Sequence, residues 1–268
     1  MPFNTVVCLK QIIDPEIPAS QFKLDKATKR QLRDSQNLVI SPYDQNALEV
    51  ALQLKEKAGG TVTALSLGEA GASSALKSAL GMGAAEAVLL SDPIFQECDQ
   101  FGVAHVLAAG IKKIGAYDLV LCGCVSGDWG NKMVGSLLAE ELGVGCVTFA
   151  TRIEAVDGAL ILRCVVEEGI ERIEAVPPVV ATILSDETNT PRYPKLRDIM
   201  AAGKKQIPAW KAADLPLDAA RVGAASRRVE VADLYVPVRE SKCEMIEGEA
   251  AEEKADRLAL RLRELKLI

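Results

Sequence analysis

The chain has few of the side chains on which most catalytic and metal sites depend. Among its 268 residues there is one histidine, His105. A single histidine excludes metal sites built from several imidazoles and most pairs of a nucleophile with a histidine base. His105 falls in a predicted helix, which favours a structural role. No acid–base or ligand cluster stands out elsewhere, so we expect neither a catalytic residue nor a metal site.

Cysteine is present, but not in a pattern that would pair it. The seven cysteines are an odd number, and no two have the CxxC spacing of zinc or redox motifs. Several lie inside apolar runs, as in VVCLK and VLCGC. We interpret them as small buried hydrophobic residues in a reducing compartment. The expected location is therefore cytoplasmic.

Aromatic residues, excess positive charge and long apolar runs are also scarce. Aromatics make up 4% of the chain, so the core must be built from Ala, Val, Ile and Leu. A net charge of -6 argues against a nucleic-acid partner, which requires a basic face. No apolar run approaches the ~18 residues of a membrane span. The N-terminus lacks the pattern of a signal peptide, and we expect no direct membrane insertion.

What the sequence does contain, up to about Gly145, is a regular alternation of apolar strands and helices. Such alternation predicts a Rossmann-like α/β fold, with a parallel sheet covered by helices on both faces. Ligands bind such sheets outside the carboxyl ends of the strands, where the winding order reverses. Strands are predicted at Thr5–Lys10, Thr61–Gly68, Ala85–Leu90 and Tyr117–Gly123, and the loops that follow them are the places to expect a site.

The first long helix has clear ends in the sequence SPYDQNALEVALQLKEKAGG. Ser41 is placed to cap it, and Pro42 suits the first turn. Asp44 stands where the carboxylate of a capping box belongs. Gly59 and Gly60 end the helix.

Beyond Gly145 the pattern predicts a small antiparallel extension. Turns are expected at Asp157-Gly158 and at Glu168-Gly169, and Val179–Leu184 is predicted to be the last core strand. A further hairpin is expected in FKLDKATKRQL, upstream of the first long helix.

The chain ends in an irregular arm and an amphipathic helix with Ala255, Leu258, Leu262 and Leu265 on one side. This stripe must cover either its own domain or a partner, and we favour the partner. We therefore expect a nucleotide-binding α/β domain at residues 1–208 and a C-terminal arm at residues 209–268. The arm is too long for an ordinary loop.

The best candidate for a ligand site is GCVSGDWGNKMVG, from Gly123 to Gly135, which leaves a strand and enters a helix. A glycine-rich turn at a helix N-terminus offers free N–H groups to a phosphate. The turn lacks the dinucleotide and P-loop motifs, and a plain connection is an equal alternative. From the residues alone, the chain is interpreted as a module that binds a nucleotide and a protein.

Several motifs, in order along most of the chain, resemble the beta subunits of electron transfer flavoproteins. They are VCLKQIID, ISPYDQNALEVALQLKE, ALGMGAAEAVLLSD, VPPVVATI and NTPRYPKLRDIMAAGKK. The resemblance implies a heterodimer with an alpha subunit that carries FAD. It also implies electron exchange with acyl-CoA or other dehydrogenases. Beta subunits of this kind bind AMP, or a second FAD in electron-bifurcating members.

Carried over by position, the resemblance implies a nucleotide site drawn from four segments. The implied residues are Cys8, Ser41, Pro42, Tyr43, Asp44, Leu67, Gly123, Cys124, Val125, Ser126, Gly127, Asp128, Trp129, Gly130, Asn131, Lys132, Met133 and Val134.

The segment at about 184–206 is implied to be a recognition loop that docks onto dehydrogenases. Leu196 is its expected exposed anchor. Pro191 stiffens the loop, so that less entropy is lost on docking. Arg192 and Tyr193 are expected to hold its base. The C-terminal arm is implied to wrap the alpha subunit.

The loop departs from the family pattern at positions that bear on the choice of nucleotide. Val125 and Met133 replace glutamines, and Gly130 replaces an aspartate. Cys124 stands where bifurcating members have arginine. AMP is therefore slightly preferred over a second FAD, with both left open. The alternatives are an NADH-dependent bifurcating subunit and a stand-alone adenine-nucleotide-binding regulatory domain, which would not need residues 190–268.

Overall fold

Apolar runs of the sequence form the strands of one large sheet. The computed structural model describes residues 2–33, 36–237 and 243–268. Its strands are β1 (Thr5–Leu9), β2 (Gln11–Ile13), β3 (Leu24–Asp25), β4 (Arg30–Gln31), β5 (Leu38–Ile40), β6 (Val62–Leu67), β7 (Glu86–Leu90), β8 (Leu119–Gly123), β9 (Gly145–Val156), β10 (Ala159–Val166), β11 (Gly169–Ala175), β12 (Val179–Ile183) and β13 (Ala209–Trp210). Its helices are α1 (Pro42–Ala58), α2 (Ser73–Met82), α3 (Gln100–Ile114), α4 (Val134–Leu142), α5 (Leu196–Lys204) and α6 (Ala251–Glu264).

The order of the strands is β11-β10-β9-β12-β8-β1-β6-β7-β13. All neighbours from β9 to β13 in this order are parallel, whereas the pairs β9–β10 and β10–β11 are antiparallel. The chain first winds from β1 through β6 to β7, and β8 then returns to the other side of β1. The winding order therefore reverses between β1 and β8. The predicted Rossmann-like fold with a small antiparallel extension is confirmed.

Helices cover both faces of the sheet, as the continuous apolar strands require. Successive residues of a strand point to opposite faces. Val7 of β1 is buried with Leu48 of α1 in one cluster, which also includes residues of α2. Its neighbour Val6 is buried with Leu138 of α4 in a second cluster, which includes residues of α3. The central strands are thus buried from both sides.

The antiparallel extension differs from its prediction in two respects. The first turn lies at Asp157-Gly158, as expected, with both residues at positive φ. The second turn is formed by Glu167 and Glu168, because Gly169 already pairs with Val166. Moreover, β12 is not the next antiparallel strand but inserts between β9 and β8, parallel to both. Its five buried residues fill a position covered from both faces.

Upstream of α1, the expected hairpin is present as β3 and β4. An additional antiparallel pair is formed by β2 and β5, which precede and follow this hairpin in the sequence. This pair was not predicted.

The first part of the expected arm belongs to the sheet domain. The chain divides into two compact units after Ala232, whereas the sequence placed the boundary after Pro208. Strand β13 pairs with β7 and covers the edge of the sheet, which would otherwise expose unpaired backbone groups. Leu215 and Val222 are buried in the adjacent core.

Polar contacts fix the same segment to α3 and α4. The Asp99 carboxylate accepts hydrogen bonds from the N–H groups of Arg228 and Val229, at 2.6 and 3.1 Å. Nε2 of His105 accepts one from the Asp218 N–H, at 3.0 Å, while its Nδ1 lies 2.9 Å from Glu141. His105 thus has the structural role that was predicted for it.

The second unit, Asp233–Ile268, contains α6. None of the residues of α6 is buried, and Leu258 is 46% exposed. Arg261 pairs with Glu244 and Glu264 within the unit. Among the described residues, no helix is both long and apolar enough to cross a bilayer.

Candidate functional site

The carboxyl ends of β1, β6 and β8 meet at the point where the winding order reverses. Leu9, Leu67 and Gly123 are the last residues of these three parallel strands. The start of α1 and the loop from Cys124 to Met133 lie against this edge. The fold therefore brings together the four segments that were predicted to form a nucleotide site, at the place where such sheets bind ligands.

The polar residues at the start of α1 do not cap the helix, contrary to prediction. Ser41 makes no side-chain cap, and its hydroxyl instead accepts a hydrogen bond from the N–H of Gly127, at 3.2 Å. The two oxygens of Asp44 accept from the N–H groups of Lys10, at 2.8 Å, and of Gly123, at 2.9 Å. Asp44 therefore joins the ends of β1 and β8, and Ser41 joins α1 to the glycine-rich loop.

Asp44 lies beneath the site and not on its surface. Only 7% of the residue is exposed, and both of its oxygens are occupied by backbone donors. Burial raises the pKa of this carboxyl to about 7, against the opposing effect of the two N–H groups and of the Lys10 charge. Its expected role as a cofactor contact is thus better described as support for the loops around the site.

Two glycines are required by the close approach of these segments. A Cβ at Gly123 would lie 2.6 Å from Asp44 Oδ1 and 2.7 Å from Tyr43 Cβ. A Cβ at Gly127 would lie 2.9 Å from Ile12 Cδ1. A larger residue at Gly123 would have to displace the start of α1, whereas one at Gly127 would have to displace the end of the Ile12 side chain.

Asp128, the residue of the loop that best fits the family pattern, is neutralised by a neighbour. Its carboxylate lies 2.7 Å from the Lys10 ammonium and accepts a hydrogen bond from the Trp129 N–H. Burial opposes ionisation, but the Lys10 charge prevails and lowers the pKa of Asp128. Lys10 was not singled out from the sequence. Its position directly after β1, at the reversal of winding, is the signal that could have identified it.

The remaining geometry fits a phosphate group. Helix α4 begins at Val134 without a side-chain cap, so its first-turn N–H groups face the loop. Gly130 and Lys132 have positive φ, which bends the loop tightly before the helix. A helix N-terminus and a bent backbone of this kind offer N–H donors to an anion. The side chain of Lys132 adds positive charge, whereas the charge of Lys10 is balanced by Asp128.

The other predicted site residues divide into inward and outward groups. The side chains of Cys8 and Cys124 are buried, and burial raises the pKa of the Cys124 thiol. These two residues can offer only backbone groups to a ligand. Trp129 is 45% exposed, and Asn131 is also exposed.

The predicted recognition loop contains α5 and presents an apolar surface. Leu196, the expected anchor, is 74% exposed. Ile199 and Met200 are exposed on the same short helix and were not predicted as docking residues. Arg192 is held by Glu49, as expected for a residue at the base of the loop. Tyr193 is 98% exposed, so the prediction that it holds the base is wrong.

Comparison with known proteins gives a consistent set of relatives. The family model described as the electron transfer flavoprotein domain matches residues 30–215. The chain is 39% identical over 220 residues to electron transfer flavoprotein subunit beta of Clostridium acetobutylicum, covering 82% of this chain and 83% of that protein. It is 36% identical to the protein of the same name from Thermoanaerobacterium thermosaccharolyticum, covering 95% and 97%. It is 35% identical to caffeyl-CoA reductase-Etf complex subunit CarD of Acetobacterium woodii, covering 98% and 99%.

Proposed function

The chain belongs to the electron transfer flavoprotein family, as a beta subunit, and from this premise we propose that it pairs with an alpha subunit. In this heterodimer, FAD held by or shared with the alpha subunit passes electrons from acyl-CoA or other dehydrogenases. The beta subunit contributes a bound adenine nucleotide and the surface on which the dehydrogenases dock. It has no catalytic residue of its own. Its cytoplasmic location stays a prediction.

The observation that carries the nucleotide assignment is the junction of α1 with β1 and β8. Asp44 and Ser41 hold these elements and the glycine-rich loop together by hydrogen bonds to the backbone. The loop leads into the uncapped start of α4, and the N–H donors of that first turn suit a phosphate. Backbone donors do not depend on side-chain identity, so the replacements at Val125, Gly130 and Met133 are compatible with binding.

The direct test is to co-express the chain with its alpha subunit, denature the purified complex and quantify the released nucleotides. One FAD and one AMP per complex is the result we expect. Gly123→Ala should lower the AMP content severalfold, because the new Cβ displaces Asp44 and Tyr43. Gly71→Ala is the matched control, since a Cβ there meets nothing within 4 Å. AMP retained in full by the Gly123 variant would place the nucleotide elsewhere.

A second candidate is an electron-bifurcating subunit that binds FAD in place of AMP. It is favoured by the 35% identity to a subunit of a caffeyl-CoA reductase-Etf complex. The same measurement separates the two, because a bifurcating complex would release two FAD and no AMP. The stand-alone regulatory domain is disfavoured, because the relatives are matched over nearly their whole length.

The docking role is tested at the exposed anchor of the recognition loop. Leu196→Ala should raise the KM for a dehydrogenase, with the flavin spectrum unchanged, because an exposed apolar anchor contributes to a small interface out of proportion to its size. Reduction of the complex by butyryl-CoA through an acyl-CoA dehydrogenase is the assay. Ile170→Ala, at an exposed position on β11, is the control. Equal KM values for the Leu196 variant and the wild type would remove the docking role.

A further inference from the structure

Helix α1 has a line of polar side chains that its packing on the sheet does not require. Asn46, Glu49, Gln53 and Glu56 are spaced so that all four fall on one face of the helix. Asn46 is 5% exposed and Glu49 is 4% exposed. Burial of amide and carboxylate groups is costly unless each finds a partner. We call these four residues the α1 stripe.

Every member of the α1 stripe bonds to the short segment that precedes α5, residues 186–195. The Asn46 amide donates to both oxygens of Asn189, at 3.0 Å. The Gln53 amide donates to the carbonyl of Thr188, also at 3.0 Å. These bonds fix the backbone before the recognition loop turns outward.

The carboxylates of the α1 stripe both bind Arg192. The guanidinium donates to the two oxygens of Glu49 through Nε, at 2.8 Å, and Nη2, at 2.9 Å. The backbone N–H of Arg192 donates to Glu49 as well, at 3.2 Å. Glu56 forms a second ion pair with the same guanidinium. Such a forked contact fixes orientation as well as position.

Asn189 connects the segment to the sheet from its other side. Its side-chain amide donates to the carbonyls of Thr151, on β9, and of Leu184, both at 2.9 Å. Its Oδ1 accepts from the Asp186 N–H, at 3.0 Å. Asn189 is fully buried. The part of the segment up to Arg192 is thus held between α1 and β9, just before the exposed residues Tyr193 and Leu196.

We propose that the α1 stripe is the positioning site for the docking surface, and that it fixes where Leu196 is presented to a dehydrogenase. The inference rests on the proposed docking function and adds the residues on which docking depends. A surface that is already ordered loses less entropy on binding, so it binds more tightly with the same contacts. The four residues touch no partner themselves and act through Arg192, Thr188 and Asn189.

The first experiment measures hydrogen exchange in the full heterodimer, because exchange reports local opening without any dehydrogenase. Glu49→Gln keeps the shape of the side chain but removes its charge and one acceptor oxygen. We expect the amides of residues 186–195 to exchange about tenfold faster, with the rest of the sheet domain unchanged. Gln53→Ala removes the bond to the Thr188 carbonyl and a second bond, at 3.1 Å, to Glu49 Oε1, but it leaves the ion pair with Arg192 in place. It should therefore have a smaller effect in the same segment.

The matched control is Glu140→Gln, the same substitution at an exposed position on α4. It should change exchange nowhere in residues 186–195. The double variant Glu49→Gln, Arg192→Gln should be no faster in exchange than the faster of its two single variants, because the effect of the Glu49 substitution is proposed to act through the Arg192 guanidinium. Unchanged exchange in the Glu49 and Gln53 variants would overturn the proposal. An equal rise across the whole sheet domain would also overturn it, since the stripe would then support only the fold.

The second experiment reads out docking itself, with butyryl-CoA and an acyl-CoA dehydrogenase as the electron source. Glu49→Gln should raise the KM for the dehydrogenase about tenfold, with kcat and nucleotide content unchanged, because the docking surface loses order but not contact residues. A changed kcat with an unchanged KM would overturn the positioning role. Leu196→Ala is measured in parallel. If that variant has no effect, the docking function fails, whereas the exchange data still decide whether the stripe orders the segment.

Discussion

A single carboxylate, Asp44, holds together the two strands between which the winding of the sheet reverses. Its oxygens accept N–H groups from residues that are far apart in the sequence, Lys10 and Gly123. At this position two strand ends diverge and leave backbone donors without strand partners. A buried acceptor satisfies both donors at once, and the loops around the site can then keep one conformation.

The raised pKa of Asp44 makes a prediction about stability and pH. Burial moves this pKa from 3.8 to about 7, so between these values the folded chain binds a proton that the unfolded chain releases. The contribution of Asp44 to stability therefore falls as the pH rises through this range. The Asp44→Asn variant has no titrating group at this position, so its stability lacks this dependence on pH. The advantage of the wild type over the variant in unfolding free energy should be larger at pH 5 than at pH 8, as measured by urea denaturation.

Ser41→Ala serves as the control for this comparison. It removes the neighbouring bond to Gly127 but no titrating group, so its destabilisation should be the same at both values of pH. An Asp44 variant that differs from the wild type by the same amount at pH 5 and pH 8 would contradict the raised pKa.

Sequence reasoning identified Ser41 and Asp44 as important but assigned them the wrong contacts. Their spacing before and within the first turn is that of a capping box, which is a local pattern. The structure uses both side chains for donors that lie 34 or more positions away in the chain. No local pattern could indicate these donors, because they depend on the order of the strands. Lys10 was missed for the same reason.

At the scale of the elements, the periodic helices and apolar strands before Gly145 were predictable because their signals are local. The placement of β12 and β13 was not. β12 is short, apolar and adjacent in sequence to an antiparallel ribbon, yet it pairs in parallel with β8 and β9. β13 has two residues and gives no periodic signal, yet it completes the sheet beside β7.

The role of β13 predicts where the chain can be cut. A fragment ending at Ala232 keeps β13 and the buried residues Leu215 and Val222, whereas a fragment ending at Pro208 loses all of them. The shorter fragment exposes the edge of β7 and part of the core, so it should be less stable by several kcal/mol and prone to aggregate. Thermal unfolding and light scattering of the two fragments test this.

A point variant leaves the backbone pairing of β13 in place and tests the packing of the Trp210 ring. Trp210→Ala should destabilise the fragment that ends at Ala232, because the ring packs on the core and its centre lies 4.4 Å from the Lys113 ammonium.

The comparison of the two fragments can also contradict this account. If the fragments ending at Pro208 and at Ala232 unfold at the same temperature, β13 and the residues after it do not belong to the folded unit.

At the scale of the whole molecule, the two compact units serve different parts of the proposed function. All of the residues proposed to form the nucleotide site and the docking surface lie in the first unit. The second unit has no buried residue in its last helix, and of the predicted apolar stripe Leu258 and Leu265 are exposed and Leu262 is half-buried. An exposed apolar stripe of this kind is typical of a surface that a partner covers.

This division predicts the effect of deleting residues 233–268. The deletion should weaken association with the alpha subunit at least tenfold, because it removes the apolar face proposed to contact that subunit. Nucleotide content per beta chain should not change. Co-purification of tagged alpha subunit with the full and shortened chains is the measurement. A shortened chain that still co-purifies in full yield would remove the wrapping role.

The substitution Leu258→Ser together with Leu262→Ser is the corresponding point test. It leaves the length of the arm unchanged and removes only apolar contacts. Lys254→Ser, at an exposed position on the same helix, is the control and should co-purify as the wild type does.

If the docking proposal holds, the bonds between α1 and the predicted recognition loop limit how this beta subunit could be changed to accept a different dehydrogenase. The loop of this chain, transplanted into a relative, would arrive without the helix face that orders it, and Arg192 would meet whatever residues stand there in place of Glu49 and Glu56. A transplant should therefore include the loop together with α1. Because the start of α1 also belongs to the proposed nucleotide site, such a transplant would change that site as well. Changes of partner by single substitutions are then restricted to the exposed tip, at Tyr193, Leu196 and Met200.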